Sequence, residues 1–206
     1  MEKSTARLEA FSDGIFGVAI TLLAIEIGIN EYEGATNANL WKKILSNWPE
    51  YFTYFNSFAT VLLVWMGHNK IISQLRSYNH WIVLLNGLVL FFVVLFPFPT
   101  QMVGSFIGTN AQDTAVAFYA GFTGFITFSL FLLNVCITKN KKLLVNAEKS
   151  IPWFKNMMKG QLIGFALYEF AAVLAIYSSI AALIITFLMW VYWGLSTVDK
   201  DESLLD

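Results

Sequence analysis

The sequence predicts an all-α membrane protein, a bundle of six transmembrane helices with both termini on the cytoplasmic side. Three observations predict it. The 206 residues are 57% hydrophobic and 17% aromatic but only 13% charged, with a mean hydropathy of +0.60, whereas water-soluble domains are about a quarter charged. Six apolar runs fall near 10–29, 52–74, 80–102, 112–138, 160–177 and 179–197, each close to the roughly 20 residues that cross the hydrocarbon of a bilayer. With the N-terminus inside, the inner segments carry eleven Lys and Arg and the outer ones only Lys42 and Lys43; basic residues in short connections stay on the cytoplasmic side.

Composition also excludes whole classes of function. Thirteen Lys and Arg against 14 Asp and Glu leave a net charge of -1, so no overall basic field exists to hold nucleic acid. The single cysteine, Cys136, rules out an intrachain disulfide and a multi-thiolate metal site. No H-E-x-x-H, no G-x-S-x-G and no phosphate-cradling glycine loop occurs. His68 and His80 lie twelve residues apart on different predicted helices, a poor metal pair. The chain is expected to be no enzyme and to need no cofactor.

Taken in order, the first run belongs to the mature fold and is no cleavable signal peptide, because Asp13 interrupts it and no small-residue cleavage site follows. In 39–50, Leu40, Trp41, Ile44, Leu45 and Trp48 recur at helical spacing with Lys42, Lys43 and Glu50 between them, which predicts a short amphipathic helix in the outer interface. The third run ends near Pro97 and Pro99, where lost backbone hydrogen bonds bend or stop a helix. In 143–158, Leu143, Leu144, Ala147, Ile151, Phe154 and Met158 predict a second interfacial helix beneath a lysine-rich face. The near-continuous stretch 160–197 is divided by a turn at Tyr177, Ser178 and Ser179. Tyr51, Tyr54, Tyr78, Trp81, Trp153 and Trp193 fall near span ends, where aromatic belts form. One domain, 1–206, accounts for the whole chain.

The informative residues are the polar ones at membrane depth, where burying an ionisable side chain costs about 2.5–3.5 kcal/mol on insertion scales. Arg7 and Asp13 lie less than two helical turns apart on the first span and, with Ser12, suggest a neutralised polar network. Farther along, Gly14, Val18, Thr21 or Leu22, and Ile25 share one face at three- and four-residue steps. That stripe has two readings. It is either a packing face with Thr21 bonded back to its own helix, or the lining of a narrow pore in which aliphatic rings dewet the path. Glu26 follows near the outer end, as a pore-mouth carboxylate or a snorkelling surface acid. Glu169 sits near the centre of the fifth span, and His68, Asn69 and Asn86 offer polar groups that hydrocarbon would leave unsatisfied.

R-x-x-x-F-S-D at Arg7, Phe11, Ser12 and Asp13 runs directly into G-I-F-G-V-A-I-T-L-L-A-I-E-I. This motif resembles the signature of the transmembrane protein 175 family, potassium channels of endolysosomes and prokaryotic membranes. V-W-M-G-H-N-K-I-I at 64–72 and L-N-G-L-V-L-F-F-V-V-L-F-P-F-P-T at 85–100 are similar to the same family. The resemblance implies a homotetramer of six-helix units in a prokaryotic plasma membrane, passing K+ in preference to Na+ through a central path lined by the first helix of each subunit. It lacks a T-V-G-Y-G filter. The family's lining positions map to Val18, Thr21, Leu22 and Ile25, and Val18 departs from a larger Ile or Leu. The motif's Arg7, Phe11, Ser12 and Asp13 are implied to hold the pore helix against partners such as Trp65, His68 and Asn69. His68 is followed here by Asn69 where relatives carry a second histidine. The partners implied are K+, the lipid bilayer and further copies of the chain. The alternative is a proton-coupled secondary transporter using Glu169 or His68.

Overall fold

The computed structural model describes residues 5–25, 27 and 36–202, with side chains as far as Leu195; Glu26 lies outside the described residues. Among the described residues eight α-helices follow one another: α1 Ala6–Ile25, α2 Asn37–Ser46, α3 Trp48–Ser73, α4 His80–Leu95, α5 Pro97–Phe106, α6 Gln112–Lys139, α7 Ala147–Ala175 and α8 Ser179–Glu202. A 3-10 turn at Lys141–Leu143 separates α6 from α7. Among the described residues no strand forms beyond one isolated bridge between Leu75 and Leu144.

Among the described residues each predicted apolar run is largely helical, and four helical stretches are long and apolar enough to cross a membrane: Ala6–Ile25, His80–Phe106, Gln112–Lys139 and Ala147–Ala175. The predicted second span, α3, is long but carries Asn56, His68, Asn69 and Lys70, and the apolar part of α8, Ser179–Leu195, is shorter. Local chemistry sets the helix starts. Thr36 accepts from the Asn39 amide at 3.2 Å, Asn79 from Ile82 at 3.0 Å and Asn146 from Lys149 at 3.2 Å, each capping the next helix. Pro97 and Pro99 supply no N–H, so the third run divides into α4 and α5 at Phe96.

Two connections differ from expectation. The outer amphipathic helix stops at Ser46, and Trp48 opens α3 instead, since Asn47 breaks the helix and Pro49 suits the first turn of a new one. The inner interfacial helix does not exist as a separate element. Residues 147–158 are the first turns of α7, running unbroken into the fifth predicted span, with Phe154 fully buried. The Asn146 cap and a Ser150 hydroxyl donating to Gln74 Oε1 at 2.8 Å pin this end to the loop after α3.

The core is centred on α6, whose Tyr119, Ile126, Leu133 and Ile137 are fully buried. It packs against α4, α5, α7 and α8, while α1 packs against α3 and α4. Buried residues make up 56% of the apolar stretch of α6 but 28% of that of α1. Helix α1 therefore leaves most of its surface uncovered by its own chain.

Candidate functional site

The two faces of α1 divide by residue type. Leu8, Ser12, Phe16, Ala19 and Leu23, at helical spacing, are buried against α3 and α4. On the other side Phe11, Val18 and Ile25 are 62, 52 and 74% exposed. Seven residues turn a helix through nearly two full turns, so these three stand in line. Gly14 and Thr21 are exposed between them, and Leu22 is half-buried at the edge. Thr21 donates its hydroxyl hydrogen to the Val18 carbonyl at 2.8 Å. With the hydrogen held there, what the hydroxyl presents outward is lone-pair oxygen.

The buried face is fixed by a directed chain of hydrogen bonds. His68 on α3 lies 2.6 Å from Asn86 on α4, through Nε2 and Oδ1. Asn86 in turn donates Nδ2 to Ser12 Oγ at 3.0 Å, and Ser12 donates to the Leu8 carbonyl at 2.8 Å. Since the Asn86 amide nitrogen is committed to Ser12, its oxygen faces His68, and His68 donates through Nε2–H. The Phe16 ring packs on the imidazole with centroids 5.3 Å apart. One turn away, Trp65 Nε1 donates to Asp13 Oδ1 at 2.8 Å. With its amide turned to satisfy both groups, Asn69 donates to the same carboxyl oxygen at 3.3 Å and accepts from Trp65 at 3.1 Å.

Arg7 and Phe11 lie outside this network. Both are exposed on α1 in the isolated chain. Six residues of helix rotate Arg7 about 120° away from Asp13, so proximity along the sequence does not become proximity across the bundle. Phe11 shares the face of Val18 and Ile25 for the same reason.

Sequence reasoning missed a second polar cluster. Asn56 Nδ2 donates to the Tyr119 hydroxyl at 2.8 Å, Ser57 Oγ lies 3.1 Å from the same oxygen, and Thr100 Oγ1 lies 2.8 Å from Ser57. These groups join α3, α5 and α6 across more than 40 residues of chain. Their visible signal was Asn56, Ser57 and Thr60 inside an otherwise apolar run. Glu169 on α7 faces the α6 glycines: a methyl group at Gly124 would come within 2.5 Å of its Oε1, which is buried with no hydrogen-bond partner. Among the described residues no group of three His, Cys, Asp or Glu is arranged to hold a metal.

Residues 7–97, which contain all of α1 from Arg7 onward and both partner helices of its buried face, match the family model described as "Endosomal/lysosomal potassium channel TMEM175". A crystal structure of a lysosomal potassium-selective channel TMEM175 homolog from Chamaesiphon minutus superposes with a TM-score of 0.83 at 29% identity, over 94% of this chain and 97% of that one. Over residues 7–97 this chain is similar to the TMEM175 family. In sequence it is 37% identical over 120 residues to a potassium channel of Chamaesiphon minutus and 34% identical over 117 residues to one of Streptomyces collinus. Those matches span 59% and 56% of the two relatives, so the chain covers little more than half the length of these curated proteins. A human TMEM175 protein, described as an endosomal/lysosomal proton channel, is 30% identical over 185 residues, which is 85% of this chain and 36% of that protein. The TMEM175 family is a family of ion channels and not of enzymes, and the all-helical fold with several membrane-length helices makes this chain a multi-pass membrane protein.

Proposed function

We propose that this chain is one subunit of a homotetrameric, passive cation channel that prefers K+ to Na+, with six spans per subunit and both ends in the cytoplasm of a prokaryote. The path runs between four copies of α1, lined by Val18, Thr21, Leu22 and Ile25. One observation carries this reading. In an apolar bundle, the face of α1 bearing those residues is the one its own chain leaves bare, while the opposite face is locked to α3 and α4 by the Ser12–Asn86–His68 chain and the Trp65–Asp13 bond.

The mechanism follows from the side chains. Rings of Leu22 and Ile25, with the smaller Val18, dewet a narrow passage and exclude a fully hydrated ion. Thr21 offers a ring of oxygens to an ion that has shed part of its water, a loss less costly for K+ than for Na+. Ser12, Asp13, Trp65, His68 and Asn69 hold the helix and do not touch the ion. At the outer mouth Glu26 concentrates cations if it faces the lumen.

Reconstituted liposomes test this directly. A channel of this kind gives K+ flux driven by voltage alone, and replacing Leu22→Asn or Ile25→Asn wets the constriction, raising conductance and lowering K+ over Na+ selectivity. Unchanged currents in both variants would remove these residues from the lining. The buried, unpartnered Oε1 of Glu169 favours one alternative, a proton-coupled transporter. The same assay separates the two, because an obligatory exchanger moves K+ only against a counter-ion gradient.

A further inference from the structure

Helix α7 carries an uncovered face along its whole length, and that face changes chemistry at one point. Glu148, Pro152, Lys155, Lys159, Leu162, Ala166, Phe170 and Val173 are spaced by three or four residues and are all exposed. Before Lys159 the face is polar and basic, with Lys149 beside it. After Lys159 it is apolar, with Leu162 44%, Ile163 62%, Phe170 57% and Val173 59% exposed. The opposite side, Phe154, Gln161, Gly164, Tyr168 and Ala171, is buried in the bundle.

Helix geometry sets the depths. From Lys159 to the end of α7 at Ala175 the helix rises about 24 Å, most of the roughly 30 Å of a hydrocarbon core. Lys155 lies about 6 Å beyond Lys159, within the polar layer of roughly 5–8 Å that borders the hydrocarbon. Lysine ammonium groups at that level reach headgroup phosphates while their stems stay on apolar surface.

The neighbouring cations are held on a frame and not on a loose tail. The Arg76 amide donates to the Leu143 carbonyl at 2.9 Å, the Val145 amide to the Gln74 carbonyl at 2.9 Å, and Arg76 Nε to the Lys142 carbonyl at 2.9 Å. Lys139, Lys141 and Lys142 are exposed on the turn so fixed. In the stretch 139–159 the only acid among six lysines is Glu148.

We propose that Lys155 and Lys159 form a binding site for the phosphate headgroups of anionic phospholipids in the inner leaflet, with Lys149, Arg76 and the Lys139–Lys142 turn adding positive potential farther out. Charge complementarity and depth both select this occupant: the apolar continuation of the same face seats the acyl chains of the lipid whose headgroup the lysines hold. This assignment rests on the orientation proposed above, with both ends in the cytoplasm, and not on where ions cross the protein.

Lipid binding to the full-length chain in neutral detergent, counted by native mass spectrometry with phosphatidylglycerol and phosphatidylcholine of matched acyl chains, tests it. Each lysine near an anionic surface strengthens binding roughly fivefold. The wild type is expected to prefer phosphatidylglycerol, Lys155→Gln/Lys159→Gln to lose roughly 25-fold of that preference, and Lys42→Gln/Lys43→Gln on the far side to keep it. A double variant that retains the wild-type preference overturns the proposal, as does displacement of the lipid by glycerol phosphate at equal concentration, which would mark a site for soluble phosphates. A second measurement needs no variant: the wild-type preference falls as salt rises, and a preference that salt leaves unchanged also overturns it.

Discussion

At the scale of single residues, the directed chain from His68 through Asn86 and Ser12 to the Leu8 carbonyl is the element most exposed to disruption. All three side chains are buried, so a donor or acceptor left without its partner keeps the cost of leaving water and loses the compensation. Replacing Asn86→Leu strands the His68 N–H and is expected to lower stability by about 1–3 kcal/mol, seen as a fall in melting temperature. In the double variant His68→Phe/Asn86→Leu no polar group remains to be stranded between α3 and α4. That pair should therefore cost less than the sum of its two single changes, and strict additivity would show that the two groups do not act on each other. Ser12, Asp13, His68 and Asn86 stood out in the sequence as polar residues within apolar runs. Their pairing did not, because partners 18 to 74 residues apart are brought together by packing alone.

At the scale of elements, close approach of helices is made by glycine. A Cβ at Gly164 on α7 would lie 2.9 Å from the Trp193 ring of α8, and one at Gly160 would lie 3.1 Å from it. An indole ring cannot yield as a flexible chain end does. Gly164→Ala is expected to destabilise the fold by about 1–3 kcal/mol through overpacking, and Gly164→Ala with Trp193→Phe to recover part of that loss. Thermal melting in detergent checks both; an unchanged melting temperature in the single variant would mean that α7 and α8 are not held this close. Most helices were legible because apolar runs of membrane length have few alternatives. The division at Phe96 was legible from Pro97 and Pro99. The start of α7 was not, because the amphipathic pattern of 143–158 fits an interfacial helix as well as the first turns of a longer one. What decides is tertiary: the Asn146 cap, the Gln74–Ser150 bond and a pocket in the core for Phe154.

At the scale of the whole molecule, one chain cannot satisfy its own surface. Helix α1 is locked on one side and bare on the other, and α7 is bare along a face that passes from lysine to hydrocarbon. The two bare faces are proposed to take different partners: for α7 the bilayer, by the match of its chemistry to membrane depth, and for α1 further copies of itself. The motif from Arg7 to Ile27 made α1 the helix to watch, yet its periodicity alone suited packing better than pore lining. Burial shows that Phe11, Val18 and Ile25 do not pack within the subunit, which supports the proposed pore lining.

Cysteine crosslinking in native membranes tests most directly whether α1 helices meet at a common axis. In a Cys136→Ser background, Ile25→Cys is expected to form covalent dimers of the chain under mild oxidation, while Val173→Cys on the lipid face of α7 stays monomeric. An Ile25→Cys chain that remains monomeric, or crosslinks no more than Val173→Cys, would contradict the account.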